Sequence, residues 1–164
     1  MSSFEPLFEF EKSIAEFFGA PYAVATDCCT HAIEMCLKLK TYDSLNIPAR
    51  TYPSIPFMLE KINHPYNFVD KNWRDFYYVA HDIIDAAVFW QRNSYIAGTK
   101  MCLSFHFKKH INIGRGGMIL LDNEEEKNRL VKMRHDGRPI YDGTLYADED
   151  ITEIGYHYYM TPET

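Results

Sequence analysis

Apolar residues at Phe4, Leu7, Phe8, Ile14, Ala15 and Phe18 recur at helical spacing, and Gly19 stands where a left-handed residue ends such a helix. Pro21 and Asp27 bound a short apolar run, Tyr22 to Ala25, that predicts a buried strand. A second helical pattern runs from about Thr30 to Lys40, with Ile33, Cys36 and Leu37 on one face. Lys38 and Lys40 close it, where the helix dipole favours cations. Next come the strand candidate Asn46 to Pro48, turn residues Thr51, Pro53 and Ser54, and an apolar stretch to Asn63. Tyr66 to Val69 is a further strand candidate, ending at Asp70, and Phe76 to Ala80 with Ile83-Ile84 predicts one interrupted strand or two. Met101 to Phe105 and Met118 to Leu121 predict two more, and a charged helix from about Asn123 to Arg134 closes at Asp136-Gly137 before Pro139. Such alternation implies βαβ units, an α/β fold with a mostly parallel (mixed) sheet flanked by helices. With no repeat, low-complexity tract or linker, residues 1–164 read as a single domain.

Composition narrows the partners. Lys and Arg total 17 against 23 Asp and Glu, a net charge of −6, and no basic block interrupts the chain, which argues against general nucleic-acid binding. Aromatic residues reach 15%, so the core or a binding face must be aromatic. No apolar run approaches the roughly 20 residues of a membrane span. Glu5 and Glu9 occupy the first ten positions where a secretory signal would be basic and then apolar, so the expected address is cytoplasmic, away from membranes. Cys28, Cys29, Cys36 and Cys102 form no CxxC pair, and buried free thiols are expected rather than a metal site.

In α/β sheets ligands gather at the carboxyl ends of strands, which directs attention to three places. Thr26 to Thr30 joins the first strand to the second helix; Thr30 reads first as a helix N-cap, and the same turn is a ready anion site. Asp85 ends an apolar strand beside Ala86-Ala87, small neighbours that leave room for a flat ligand, and a buried carboxylate there needs a hydrogen bond or a positive partner. Ser104, Lys108 and Lys109 follow the Met101 strand and precede Gly114-Arg115-Gly116-Gly117, which is neither a GxGxxG turn nor a P-loop. A phosphate-seeking helix end, a carboxylate, an aromatic side chain and a lysine on neighbouring strand ends suit pyridoxal 5'-phosphate.

These segments resemble the DegT/DnrJ/StrS family of sugar aminotransferases, pyridoxal-phosphate enzymes of the aspartate aminotransferase fold type. Ala23-Val24-Ala25-Thr26-Asp27-Cys28-Cys29-Thr30 resembles the family's phosphate turn "av…SGT", Ile47-Pro48-Ala49-Arg50-Thr51-Tyr52 resembles "vPa.TF", and Ile83-Ile84-Asp85-Ala86-Ala87 resembles "v.eDaA". Ser104-Phe105-His106-Phe107-Lys108-Lys109 through Gly117 is similar to "SFh..K.l..GeGG", and Gly155 to Met160 to "GyNyRM". The resemblance implies that Lys109 is the Schiff-base lysine and that Asp85 pairs with the pyridine nitrogen. It further implies that Tyr52 stacks on the ring, and that Ser104, Thr30 and the backbone at Cys29 hold the phosphate. Lys109 is preferred to Lys108 because it follows Ser104 by the family's interval.

The departures are equally specific. Cys29 replaces the glycine of "SGT", so its Cβ is expected to crowd the phosphate turn or force another backbone conformation. Val88 replaces a glutamine, and His157 and Tyr159 replace the Asn and Arg of "GyNyRM", residues associated with the partner subunit's site. The stretch from Asp70 to Ile83 is shorter than the family's, and Thr164 falls where its small domain should begin, which suggests a shortened large domain. The expected function is aminotransfer from a donor such as glutamate to a keto-sugar nucleotide, in a homodimer. The competing expectations are a catalytically impaired relative that binds the cofactor and pairs with itself or with a full-length relative, and a sugar-nucleotide or phosphate binder without the cofactor.

Overall fold

The computed structural model describes residues 4–138 and 151–164. Element order is α1 (Glu5–Phe18), β1 (Tyr22–Thr26), α2 (Cys29–Lys38), β2 (Leu45–Pro48), α3 (Ser54–Lys61), β3 (Tyr66–Val69), β4 (Tyr77–Ala80), β5 (Ile83–Asp85), β6 (Lys100–Ser104), β7 (Gly117–Leu121) and α4 (Glu124–Met133). Each predicted segment is present, with ends moved by a residue or two. Gly19 closes α1 in the left-handed region at φ 74°, its N–H donating back to Glu16. Asn123 caps α4 through its side chain, and Pro139, expected just past that helix, lies outside the described residues.

Five strands form a mixed sheet in the order β1-β7-β6-β5-β4, and β2 and β3 form a parallel pair beside it. The sheet is flanked by helices as expected, but only β5 and β6 run parallel within the five-stranded sheet. The physical reason lies in the connections: β4 and β5 are joined by the two residues His81 and Asp82, and no helix intervenes between β6 and β7, so neither pair makes a parallel crossover. The two candidate pieces around residue 80 are therefore two strands of a hairpin, with a bulge between Tyr78 and Ala80.

Alternating side chains load both faces of the sheet. Val24, Cys102, Ile119 and Leu121 pack under α2, α3 and α4, while Ala25, Met101, Leu103, Met118 and Leu120 pack under α1 with Phe18 and Phe105. Fully burying one such side chain contributes about 1.5–3 kcal/mol. Much of the high aromatic content lies on the α1 side, where Phe17 stacks on Trp90 at 4.9 Å and Phe10 meets Phe105 at 5.0 Å. Arg134 is fully buried; it pairs with Glu11 and donates to the Ala25 carbonyl at 2.7 Å, tying α4 and α1 to β1.

At the far end of the sheet, Lys100 and Lys40 both bond Asp82 Oδ2, at 2.8 and 2.7 Å. Burial opposes the Asp82 charge, yet the two ammonium groups outweigh it and draw the carboxyl from 3.8 down to about 2. A depressed carboxylate contributes stability that is complete above its unfolded value and disappears as the pH falls through its folded one. Acid titration of thermal stability should therefore drop between about pH 4 and 2, and Asp82→Asn should flatten that limb. An unchanged acid limb in the variant would show that the pair contributes nothing.

Candidate active site

The register places the chemistry at one end of the sheet. Thr26, Gly117 and Ser104 lie side by side on β1, β7 and β6, and Cys102, Asp85 and Tyr77 on β6, β5 and β4. Above these ends opens a cleft of about 410 Å³. Cys29, Thr30, Tyr52, Asp85, Ser104 and Lys109, all six residues singled out from the sequence, line it, together with Ser54, His106, Lys108 and Arg115.

Asp85 forms the floor. It is 7% exposed, and its Oδ1 accepts the Ala87 N–H at 3.0 Å, a turn that the Ala86-Ala87 pair makes possible. Burial pushes its carboxyl above the usual carboxylate range; the Ala87 N–H, the Tyr77 hydroxyl and the Lys109 ammonium pull it back without cancelling the shift. A positive group facing the carboxyl would restore its charge. Lys109 is half-buried, in a turn closed by its N–H to the His106 carbonyl at 2.8 Å. Lys108 is exposed, its ammonium 5.5 Å from the Phe107 ring centroid.

The opposite wall is the start of α2. Cys28, not Thr30, is the N-cap, because the helix begins at Cys29. The Thr30 hydroxyl is thereby free to bond Ser54 Oγ at 2.7 Å, bringing α2 and α3 together at the cleft. Cys29 replaces glycine without distorting the turn. It adopts helical backbone, and its thiol turns inward to the Cys102 carbonyl at 3.5 Å, so the crowding is directed into the core. Ser104 Oγ accepts the His106 N–H at 3.4 Å, and Tyr52 stands at the mouth, 71% exposed.

Sequence reasoning missed two groups beside this site. Tyr77 and Thr51 bond each other at 2.7 Å behind Asp85. Arg115, on the cleft wall, and His31 both hold Asp27, at 2.6 and 2.7 Å. Burial works against a charged His31, but its hydrogen bonds to Asp27 and Cys28 prevail and lift it from 6.5 to about 9. The Tyr158 ring stacks on His31 at 3.7 Å, which seats the C-terminal segment against α2. Helix spacing could have paired Asp27 with His31; no local pattern announces Arg115. Asp27, Cys28 and His31 also lie within 4.8 Å of one another, a grouping that a metal could use only by displacing the His31 proton and the Arg115 pair.

The geometry can be set beside known proteins. No curated protein matches the chain significantly. Among solved structures, AtS13 from Actinomadura melliaura superposes with a TM-score of 0.83 at 18% identity, covering 96% of this chain and 57% of its own. 3-Amino-5-hydroxybenzoic acid synthase gives 0.80 at 18% identity, with 98% and 53% covered. NtdA from Bacillus subtilis, solved with the cofactor PMP, gives 0.79 at 16% identity, with 96% and 45% covered. At such identities the likeness establishes the fold, and this chain spans about half the length of those structures. The family profile is the more specific finding: it matches over residues 3–92 and 91–162, and the chain belongs to the DegT/DnrJ/EryC1/StrS aminotransferase family.

Proposed function

We propose that this chain binds pyridoxal 5'-phosphate in the cleft through Lys109 and takes part in aminotransfer, with glutamate as the expected donor and a keto-sugar nucleotide as the acceptor. The observation that supports it best is the gathering of Lys109, the buried Asp85, Ser104 and Thr30 around one cleft at the strand ends. The donor set fits the cofactor. Asp85 is a buried acid in want of a positive partner, and a pyridinium nitrogen would be one. Thr30, Ser54 and Ser104 offer hydroxyls beside the start of α2, where free N–H groups and the dipole favour a phosphate. Gly117 lies against Cys28 and Cys29 so tightly that a Cβ would strike the backbone at the start of α2.

When bound, the cofactor supplies an electron sink and an aldehyde that holds the amino group in transit. The rest is the work of the chain's own residues. Asp85 would pair with the ring nitrogen, Tyr52 would lie over the ring at the mouth, and the α2 end with Ser104 would hold the phosphate. Lys109 Nζ would hold the cofactor and is the base placed to move a proton at the donor's α-carbon. The exposed aromatic side chains of Tyr52, Phe57 and Phe107 favour a second copy covering this side in a homodimer.

Titration of the purified chain with pyridoxal phosphate is the experiment. The expected result is a saturable visible band of lysine-bound cofactor that bleaches on adding glutamate. No band at any concentration sinks the reading; a band that glutamate never bleaches favours cofactor binding without turnover.

A further inference from the structure

Asp85 receives support that the cofactor reading does not by itself require. Tyr77 is 3% exposed and stands directly opposite Asp85 in the β4–β5 ladder, so the two side chains lie side by side on one face of the sheet. Behind it, Thr51 Oγ1 lies 2.7 Å from the Tyr77 hydroxyl. The polarity of this chain of groups follows from what each can do. A carboxylate only accepts, so Tyr77 donates its proton to Asp85; the phenolic oxygen then accepts, and Thr51 is the donor. Burial and the Asp85 charge hold the Tyr77 hydroxyl protonated far above its ordinary range, so it remains a donor to the ionised carboxylate.

We propose that Tyr77, oriented by Thr51, is a positioning residue that fixes the Asp85 carboxylate toward the cleft, where it meets the ring nitrogen. The proposal rests on the cofactor reading only for that last step. The Ala87 N–H already holds Oδ1, and the Tyr77 hydroxyl, on the same face of the neighbouring strand, supplies a second donor from the β4 side. The groups that face it from its surroundings are Tyr77 on β4, Cys29 on α2, Cys102 on β6 and Lys109 from the 105–116 loop. Burial pushes both thiols up, so they stay neutral and Lys109 is the one cation among them.

The test compares wild type, Tyr77→Phe and Thr51→Val, with the Asp85 carboxyl titrated by carbon NMR on the full chain without cofactor. Tyr77→Phe keeps the ring packing and removes one donor, so the Asp85 midpoint should rise by about one pH unit. Thr51→Val should move it in the same direction by less. With cofactor, Tyr77→Phe should weaken pyridoxal phosphate binding by about three- to tenfold, since a more neutral acid pairs less well with a pyridinium. An Asp85 midpoint unmoved in Tyr77→Phe overturns the proposal. Should that variant not fold, Thr51→Val alone decides, and no shift there overturns it equally. Because the titration needs no cofactor, a wild-type chain that takes up no pyridoxal phosphate sinks the functional reading without touching this one.

Discussion

Lys109→Ala is expected to abolish the visible band of bound pyridoxal phosphate, while Lys108→Ala leaves it in place. The two lysines are neighbours in sequence and both border the cleft, but their surroundings differ. Lys109 is half-buried and acts on the buried Asp85 and Cys29; Lys108 is exposed and lies against the Phe107 ring. Truncating Lys109 removes both the amine that would hold the cofactor and a positive charge that opposes the upward drift of Asp85. Cofactor still bound through its phosphate would then face a more neutral acid. Any aminotransfer should fall by at least about 100-fold, the low end of what a positioned proton-transfer group contributes. Absorbance titration of the two variants checks this, and a band lost in Lys108→Ala but kept in Lys109→Ala would reverse the assignment.

Gly117→Ala should be the most damaging conservative change near the site. A Cβ at this position would come within 2.6 Å of Cys29 N and closer still to the Cys28 carbonyl carbon. Both are backbone atoms of the α2 start, so no side chain can rotate away. Either β7 shifts away from its neighbours β1 and β6, or the helix start retreats and the cradle opens. The expected cost is about 3 kcal/mol, the upper end of overpacking penalties, or a fall of roughly 6–12 °C in Tm for a chain of this size. Gly98→Ala is the control. Gly98 has the reverse combination, a left-handed backbone at φ 76° with nothing near its Cβ direction, so it should lose only about 1 kcal/mol from backbone strain. Calorimetry on the pair separates crowding from conformation. Equal losses would show that the close approach of β7 to α2 is looser than described.

Periodicity and punctuation made most elements legible, and the reason is local. Gly19 ends α1, Asn123 caps α4, and continuous apolar runs mark β6 and β7 as strands buried on both faces. Strand direction was less legible, because it depends on connections: a two-residue link between β4 and β5 already excludes a parallel pair. Tyr77 shows a further limit. A regular hairpin pairing Ala80 with Ile83 would set Tyr78 opposite Asp85, and only the bulge after Tyr78 brings Tyr77 there instead. Tyr78 is left 41% exposed. The gathering of Cys29, Thr30, Tyr52, Asp85, Ser104 and Lys109 in one cleft was legible because strand ends and helix starts impose it. The inward turn of the Cys29 thiol was not, since it depends on Cys102, far away in the chain.

The proposed function turns on a covalent bond between the Lys109 amine and the cofactor's aldehyde. Its most direct test is borohydride reduction of the full chain saturated with pyridoxal phosphate, followed by peptide mapping. A single phosphopyridoxyl label on Lys109 is the predicted result. A label on Lys108, labels scattered over surface lysines in proportion to their exposure, or no label at saturation would contradict it.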